Sequence, residues 1–476
     1  MKPRIFTLAD QLAFAELSGD NNPVHIDPLA ARRSLFGEPI VHGIHMLMWG
    51  LDQWLEGSGA SARLQHLRVG FAKAIGLDRE VRLALVCGQN SRVQLNLLKD
   101  DEVAVRAVFE WSPDDSRATD GVSPELPPKQ APRLQNRQAI QSCNGSLDLY
   151  LQPGLAGRLF PNLTRLFCPV QSAVLLGMTR LVGVECPGQQ SIFSKLTLKA
   201  APTGGLRNIK YGVSQFGDRH SLVLMEVTAP GLSGTVEAVL RPEPQAQTSF
   251  RGLEKLVNRG EFAGQLALVA GGSRGLGEVT AKLLAAGGAF VRITYHKGKA
   301  DAQKVVDDIL AGGGRADCCE LDILHPQDTW HQWAATTHLY YFASPFISAS
   351  GKHFSPSLFN DFCNYYVSGF AGLVESLQEF GLQNVFYPST VFIDELPADF
   401  AEYALTKSAG ELLCRAFAKK YPGMRFYFPR LPKMATDQTV SLRPAQNPDP
   451  APILLTALQN FRDSSLQVQK DTVMGQ

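Results

Sequence analysis

In the stretch Ser18–Asp27, SGDNNPVHID, Asp20 and His25 share one polar loop, with Asn22 and Pro23 between them. An acid and an imidazole that close can share one water molecule, one orienting it while the other moves a proton, which is general acid–base chemistry. His42-Gly43 lies within an apolar run, Ile40–Leu51, that starts just after Pro39. In the first turn of a helix the Gly43 backbone N–H is free to hold a developing oxyanion. A second constellation lies towards the other end of the chain. Tyr403 and Lys407 stand four apart, on one helical face, with Ser389 fourteen residues before the tyrosine. An ammonium beside a phenol lowers the phenol's pKa, so that the tyrosine can deliver a proton to a carbonyl oxygen as hydride arrives at carbon. A glycine-rich run, Gly271-Gly272-Ser273-Arg274-Gly275-Leu276-Gly277, is the third feature.

The elements that must position these residues follow from hydrophobic period. Leu8, Leu12 and Ala15 predict a short amphipathic helix over Thr7–Leu17, and Pro28–Leu35 a second. Ile40–Leu55 is apolar nearly all round, as a buried helix is. Leu64–Phe71, Val81–Gly88, Arg92–Lys99 and Glu102–Trp111 alternate apolar with polar and predict strands. Ser112–Arg133, rich in Pro, Asp and Ser, reads as a linker. Residues 134–245 read as a degenerate second copy. Pro169–Val184 matches the buried helix, and Ser191–Ala200, Ile209–Phe216, Ser221–Ala229 and Thr235–Leu240 match the strands. No histidine occurs between His66 and His220, and Gln171-Ser172 stands where His-Gly would. The repeat is therefore expected to be structural rather than chemical, with a binding site of its own as the alternative. Arg241–Arg259 reads as a second linker. From Gly264 the pattern alternates strand and helix, with strands at Leu266–Ala270, Val291–Tyr295, Asp317–Leu321, Leu339–Ala343, Asn384–Tyr387 and Arg425–Phe428. That predicts a doubly wound parallel sheet.

The first motif resembles the MaoC-like (R)-specific enoyl-thioester hydratases, whose SGDxNPxHxD pattern is followed by phenylalanine, glycine and an HG segment, here Phe36-Gly37 and His42-Gly43. The resemblance implies a hotdog fold, a buried helix wrapped by an antiparallel sheet, with Asp20 and His25 as the catalytic pair and the Gly43 amide on the thioester carbonyl. The spacing Gly271, Gly275, Gly277, with strand before and helix after, and Tyr403-Ala404-Leu405-Thr406-Lys407 resemble the short-chain dehydrogenase/reductase family. That resemblance implies Ser389, Tyr403 and Lys407 as catalytic. It puts Gly271, Ser273, Arg274, Gly275, Leu276, Gly277, Ala343, Tyr403 and Lys407 against a dinucleotide, with Asp322 on the adenine. Arg274, His296 and Lys297, with no carboxylate at the end of the second strand, favour a 2′-phosphate and hence NADPH. The chain departs from that family at Tyr341-Phe342-Ala343-Ser344, in place of an NNAG-like turn, and at Tyr366, in place of a relay asparagine.

The expected organisation is multidomain, α+β then α/β: 1–112 a catalytic hotdog, 113–133 linker, 134–245 a second degenerate hotdog, 246–262 linker, and 263–476 a Rossmann domain of short-chain reductase type. A length of 476 residues and a net charge of +1 suit a multidomain enzyme and give no bulk signal for nucleic acid or membrane. Eight cysteines without CxxC, and no Cys/His cluster at metal-ligand spacing, predict a reduced, cytoplasmic, metal-free enzyme. The two chemistries share an intermediate. The expected function is a bifunctional ketoreductase/dehydratase taking a 3-oxoacyl thioester, on acyl carrier protein or coenzyme A, through the (R)-3-hydroxyacyl to the trans-2-enoyl thioester. A catabolic hydratase/dehydrogenase and an acyl-carrier-binding scaffold with one vestigial domain stay open. A homodimer is expected from the two resemblances alone.

Overall fold

A computed structural model describes residues 2–474 except 89–90, 115–118, 203–204, 218–220, 326–332, 334, 351–352 and 443–445. The chain falls into two units, Met1–Glu243 with Ser441–Pro444, and Pro244–Val440 with Ala445–Gln476.

The first unit is built twice over. Its first half runs from the edge strand Arg4–Ile5 through the helices Leu8–Ser18 and Gly43–Ser58 to the strands Arg63–Phe71, Glu80–Cys87, Arg92–Lys99 and Glu102–Ser112. The second repeats the order: Asn144–Tyr150, the helices Pro153–Leu159, Pro161–Leu166 and Pro169–Arg180, then Ser191–Ala200, Asn208–Gly217, Leu222–Ala229 and Leu232–Leu240. All these strands join one 11-stranded sheet. The two leading long strands, Arg63–Phe71 and Ser191–Ala200, pair antiparallel at its middle, His66 opposite Lys199 and Gly70 opposite Lys195. The remaining strands follow outward in the same order on either side, as an internal two-fold requires.

Alternation drives Leu64, Leu67, Val69, Leu196 and Leu198 to one face, all fully buried, under the two long helices. Those helices have no polar face to offer water. Ile44, Leu47, Leu51 and Leu55 of one, and Val174, Leu175 and Met178 of the other, are fully buried, each side chain contributing about 1.5–3 kcal/mol of transfer free energy. Gln171 at the head of the second helix bonds both the N–H and the carbonyl of Leu64, at 2.7 and 3.1 Å. Where the first copy has His-Gly, the second has a stitch to the sheet.

Three expectations are corrected here. The helix expected over Pro28–Leu35 covers only Pro28–Ala31, because the Ser34 hydroxyl donates to the Ala31 carbonyl at 2.6 Å and closes the turn. The stretch 113–133 is not a bare linker: Val122–Ser123 pairs parallel with Leu149–Tyr150 as the eleventh strand. Two residues are too few to show a period. In the 246–262 linker, Phe250–Glu254 is helical, Phe250, Leu253 and Phe262 are buried in the core of the second unit, and the Phe250 N–H donates to Asp308 at 2.9 Å.

The second unit is a six-stranded parallel sheet. Its order is Arg315–Glu320, Phe290–Tyr295, Leu266–Ala270, His338–Tyr341, Asn384–Phe386, Arg425–Tyr427. Both faces are covered. Val269, Val291 and Ile293 pack on one side with Leu283, Leu284 and Ile309. Leu268, Leu339 and Val385 pack on the other with Phe370, Leu373 and Cys414, as a parallel sheet between helices requires. The strand order reverses between Leu266–Ala270 and His338–Tyr341, so a ligand crevice opens at the carboxyl ends of that pair. A short parallel pair, Ser389–Thr390 with Arg430–Leu431, stands beyond the sheet.

Candidate active sites

In the first unit, Leu8–Ser18 ends at Gly19, and the loop after it buries Asp20. Asn22 caps the turn Pro23–Ile26, accepting from the Val24 N–H at 3.2 Å, and that turn carries His25. His25 Nδ1 lies 2.8 Å from the Ile40 carbonyl. A carbonyl only accepts, so Nδ1 carries the proton and Nε2 keeps a lone pair. His42 is the N-cap of Gly43–Ser58 and gives its first turn no side-chain cap, which leaves the Gly43 N–H to a ligand oxygen.

The protonation of His42 is set by Gln11. The His42 backbone N–H donates to Gln11 Oε1 at 3.0 Å, and that same oxygen is 2.8 Å from His42 Nδ1. So Nδ1–H donates as well, and a neutral His42 has its lone pair on Nε2. The Gln11 amide nitrogen then donates to His45 Nδ1 at 3.3 Å. The His25 and His42 rings stack with centroids 3.8 Å apart. Ring nitrogens of both and a carboxylate oxygen of Asp20 lie within 4.8 Å of one another. Sequence spacing gave no hint of this cluster; folding brings residues 20, 25 and 42 into a donor set that could hold a metal ion.

The second half of the unit, expected to do no chemistry, closes this site. Thr179 donates its hydroxyl to Asp20 Oδ2 at 2.6 Å, beside the Asn22 N–H on Oδ1 at 3.2 Å. The Asn22 side chain in turn donates to the carbonyls of Gly183, Gly188 and Gln189. A π-helical turn, Leu181–Glu185, succeeds Pro169–Arg180 and brings Gly183 against the acid. A Cβ on Gly183 would overlap Asp20 Oδ1, so only glycine fits. Arg241 donates to the same Gln189 carbonyl at 2.6 Å. None of these partners was legible in the sequence, since the Thr179–Asp20 bond spans 159 residues and no local pattern marks it.

Burial raises the Asp20 carboxyl to about 6 against the pull of Thr179 and Asn22. Burial lowers His25 to about 4, with the Ile40 carbonyl opposing and Arg241 adding to the fall. His42 falls well below the usual imidazole range, first by burial and then through its histidine neighbours. The site thus holds an acid that keeps its proton to unusually high pH beside an imidazole that stays neutral, the pairing that acid–base exchange needs.

In the second unit, Leu266–Ala270 leads through the glycine run into the helix Gly275–Ala286, whose N-cap, Arg274, adds no side-chain cap. Gly271 has φ +79°, and a Cβ there would come within 2.8 Å of the Phe342 carbonyl and the Ala343 nitrogen. The loop therefore lies against the turn after His338–Tyr341, at the strand-order reversal. Gly275 and Gly277 are on the helix, Ser273 is buried and Leu276 packs into the core. This cradle, with free first-turn N–H groups, fits a dinucleotide pyrophosphate. Thr436 and Asp437, which sequence reasoning missed, stand beside Gly275, and Arg274 is paired with Asp437 at 2.6 Å.

At the end of Phe290–Tyr295, His296 and Lys297 are exposed, as a phosphate site requires. That end is not free of carboxylate, however, contrary to expectation. Asp322 reaches within 3.7 Å of His296 and 3.1 Å of His325, because the loop after the third strand folds back on it.

Tyr403 and Lys407 lie on the helix Ala401–Lys420. Ser389 is not the hydroxyl at the phenol. It donates to Glu411 Oε1 at 2.5 Å, a carboxylate also gripped by Arg430. Thr390, one residue on, faces Tyr403 and eases its phenol down against the strong upward pull of burial. In an extended segment successive side chains point to opposite faces, so the family-like spacing falls one residue early. The expectation that the ammonium lowers the phenol is also corrected. Lys407 donates to the Pro388 carbonyl at 2.7 Å, and its amine sits 4.1 Å from the Tyr366 ring centroid but 6.0 Å from that of Tyr403. Burial lowers it to about 7, opposed by Cys414. Tyr366, on the π-helical turn Asn364–Gly369, shares a 2.6 Å hydrogen bond with Ser344.

Comparison with known proteins meets both units. Residues 1–107 match the model of the MaoC like domain, and residues 267–446 that of the NAD dependent epimerase/dehydratase family. A 3-hydroxybutyryl-CoA dehydratase of Methylorubrum extorquens is 31% identical over 105 residues, 18% of this chain and 67% of that protein. A 3-oxoacyl-[acyl-carrier-protein] reductase of Synechocystis sp. is 39% identical over 64 residues, 13% of this chain and 26% of that protein. An uncharacterized oxidoreductase of Methylorubrum extorquens is 43% identical over 63 residues, and the chain spans 25% of its length. Among solved structures, a short chain dehydrogenase from Burkholderia cenocepacia in complex with NADP is 26% identical, covering 37% of this chain and 78% of that one, with a TM-score of 0.35. Among the described residues, no helix is long and apolar enough to cross a membrane.

Proposed function

We propose, for a chain that belongs through its N-terminal residues 1–107 to the MaoC-like family, a two-step catalyst. It reduces a 3-oxoacyl thioester to the (R)-3-hydroxyacyl thioester and dehydrates that to the trans-2-enoyl thioester. The observation that carries this reading is the pairing, in one chain, of an Asp20/His25 site suited to β-elimination with a Tyr403/Lys407 site beside a dinucleotide cradle.

The first unit is read as a double hotdog whose second copy supplies Thr179 and Gly183 to the acid. In dehydration, His25 Nε2 takes the C2 proton while the Asp20 carboxyl gives its proton to the departing hydroxyl. The Gly43 N–H steadies the charge growing on the thioester oxygen.

In the second unit, a reduced nicotinamide would supply the hydride. Gly271, Ser273, Gly275, Leu276, Gly277 and Ala343 line its cradle beside Arg274, which Asp437 holds, and the exposed His296 and Lys297 favour the 2′-phosphate of NADPH, with Asp322 at the adenine edge. Tyr403 passes its phenolic proton to the ketone oxygen, Thr390 orients it, and Lys407, poised near neutrality, restores the proton. The acyl group rides on acyl carrier protein or coenzyme A, in the direction of fatty-acid-like or polyketide-like chain building.

The test supplies NADPH and 3-oxoacyl thioesters of graded length on both carriers, with products read by mass spectrometry. Tyr403→Phe is expected to stop at the ketone. Asp20→Asn and His25→Ala are expected to accumulate the hydroxyacyl thioester, each slowed by about 10²–10⁴-fold at its step. Enoyl product at the normal rate from any of the three overturns the assignment, and equal use of NADH and NADPH overturns the cofactor choice.

A further inference from the structure

The hydrogen-bond network leaves Asp20, His25 and His42 with acceptors facing acceptors. His25 spends its one proton on the Ile40 carbonyl and His42 spends its own on Gln11. The Nε2 lone pair of His42 then points at the Asp20 backbone carbonyl, 3.2 Å away, and lies 3.9 Å from Asp20 Oδ2. Two acceptors at that distance repel unless something positive stands between them. Turning the tautomer over only moves the conflict to Gln11, whose oxygen is fixed by the His42 backbone N–H.

We infer that Asp20, His25 and His42 form a site for a first-row divalent cation of the zinc type, and that the ion, bound there, switches off the dehydratase while leaving the reductase untouched. Two imidazole nitrogens and a carboxylate oxygen, converging within 4.8 Å, are a donor set zinc accepts. The supports around them are those of a metal site. Each imidazole has its far nitrogen held by an acceptor, and each carboxylate oxygen takes a hydrogen bond from Thr179 or Asn22, which fixes ligand direction. Metal and turnover exclude each other because they claim the same atoms, the His25 Nε2 lone pair and the Asp20 carboxylate. The blocking of one step rests on the proposed dehydratase function; the binding itself does not.

The test uses the full-length chain stripped with a chelator. One equivalent of Zn(II) is expected to bind by calorimetry. X-ray absorption of the wild-type zinc-loaded chain should show an N/O shell with imidazole scattering and no sulfur. Co(II) should give visible ligand-field bands without a thiolate charge-transfer band. His25→Ala and His42→Ala should each weaken binding at least about 10-fold, and Gln11→Leu, which loosens His42, by about 10–100-fold. Zinc should halt dehydration reversibly on the wild-type chain, with NADPH oxidation unchanged. A sulfur shell, which would place the ion on the cysteines, overturns the site, as does affinity indifferent to both histidines. So does the absence of binding at micromolar zinc, or dehydration that zinc accelerates. If zinc binds through N/O ligands but the apo chain dehydrates nothing, the site stands and the dehydratase reading falls.

Discussion

At the scale of single residues, two sites depend on which hydroxyl faces which acid. Thr179 donates to Asp20 and holds its carboxyl lower than burial alone would set it. Dehydration needs one proton on the Asp20/His25 pair, so the rate is expected to fall as pH rises through about 6, where Asp20 loses it. Removing the Thr179 hydroxyl removes a hydrogen bond to the ionised form. Thr179→Val should therefore move the falling limb upward by about one pH unit, the equivalent of about 1.4 kcal/mol. A pH profile of kcat/KM measures it, and a lower rate with an unmoved limb would make Thr179 merely structural. In the second unit the neighbours Ser389 and Thr390 separate cleanly. Thr390→Val should lower the reduction rate by about 10²-fold. Ser389→Ala should spare the chemistry and cost stability through Glu411, whose carboxylate keeps Arg430 as its partner. The reverse ranking of kcat would restore Ser389 to the site. Of the two, only Ser389 was legible in the sequence, by its spacing from Tyr403. Which one turns inward is a question of strand register, and register is set by the pairing of Ser389 with Arg430 and Thr390 with Leu431, which no local pattern encodes.

At the scale of elements, the repeat itself was legible and the contacts made across it were not. Apolar period located the Gly43–Ser58 and Pro169–Arg180 helices and most strands to within a few residues, because burial on one face leaves a regular mark. The two π-helical turns among the described residues left no such mark, yet each delivers a group to a site. Leu181–Glu185 brings Gly183 to Asp20, and Asn364–Gly369 brings Tyr366 under Lys407. An added residue in a helical turn rotates the rest of the helix and opens backbone carbonyls, and such turns recur at functional positions. Here the Gly183 carbonyl, freed in this way, accepts from the Asn22 side chain at 3.1 Å. Gly183→Ala should push the Asp20 carboxylate aside with the rest of the fold kept. Since a displacement of about 1 Å costs about 10²-fold in rate, dehydration should drop by that factor while ketone reduction by the same preparation is unchanged. Equal loss of both activities would mean that the substitution had damaged folding instead.

At the scale of the whole molecule, the sequence marked the change from alternating strands to alternating strand and helix, but it drew the joint too long. Phe250–Glu254 is packed into the second unit, and Gln247 and Thr248 are hydrogen-bonded to it through Ala435 and Lys282, so the exposed connection shrinks to 242–246. Five residues reach at most about 18 Å when extended, short enough for a tether to hold two partners at an effective concentration of about millimolar. The consequence is kinetic. On the proposed reaction, a hydroxyacyl thioester leaving one unit of an intact chain should meet the other at a concentration that bulk solution does not supply. Mixing Tyr403→Phe chains with Asp20→Asn chains should therefore restore enoyl product only after a lag. At micromolar enzyme its rate should rise with total protein concentration, while wild-type chains show no lag and a rate per chain independent of concentration. Stopped-flow detection of the enoyl thioester reads both. Identical time courses for mixture and wild type would mean that the intermediate equilibrates with solution before the second step, and that the fusion confers no advantage in catalysis.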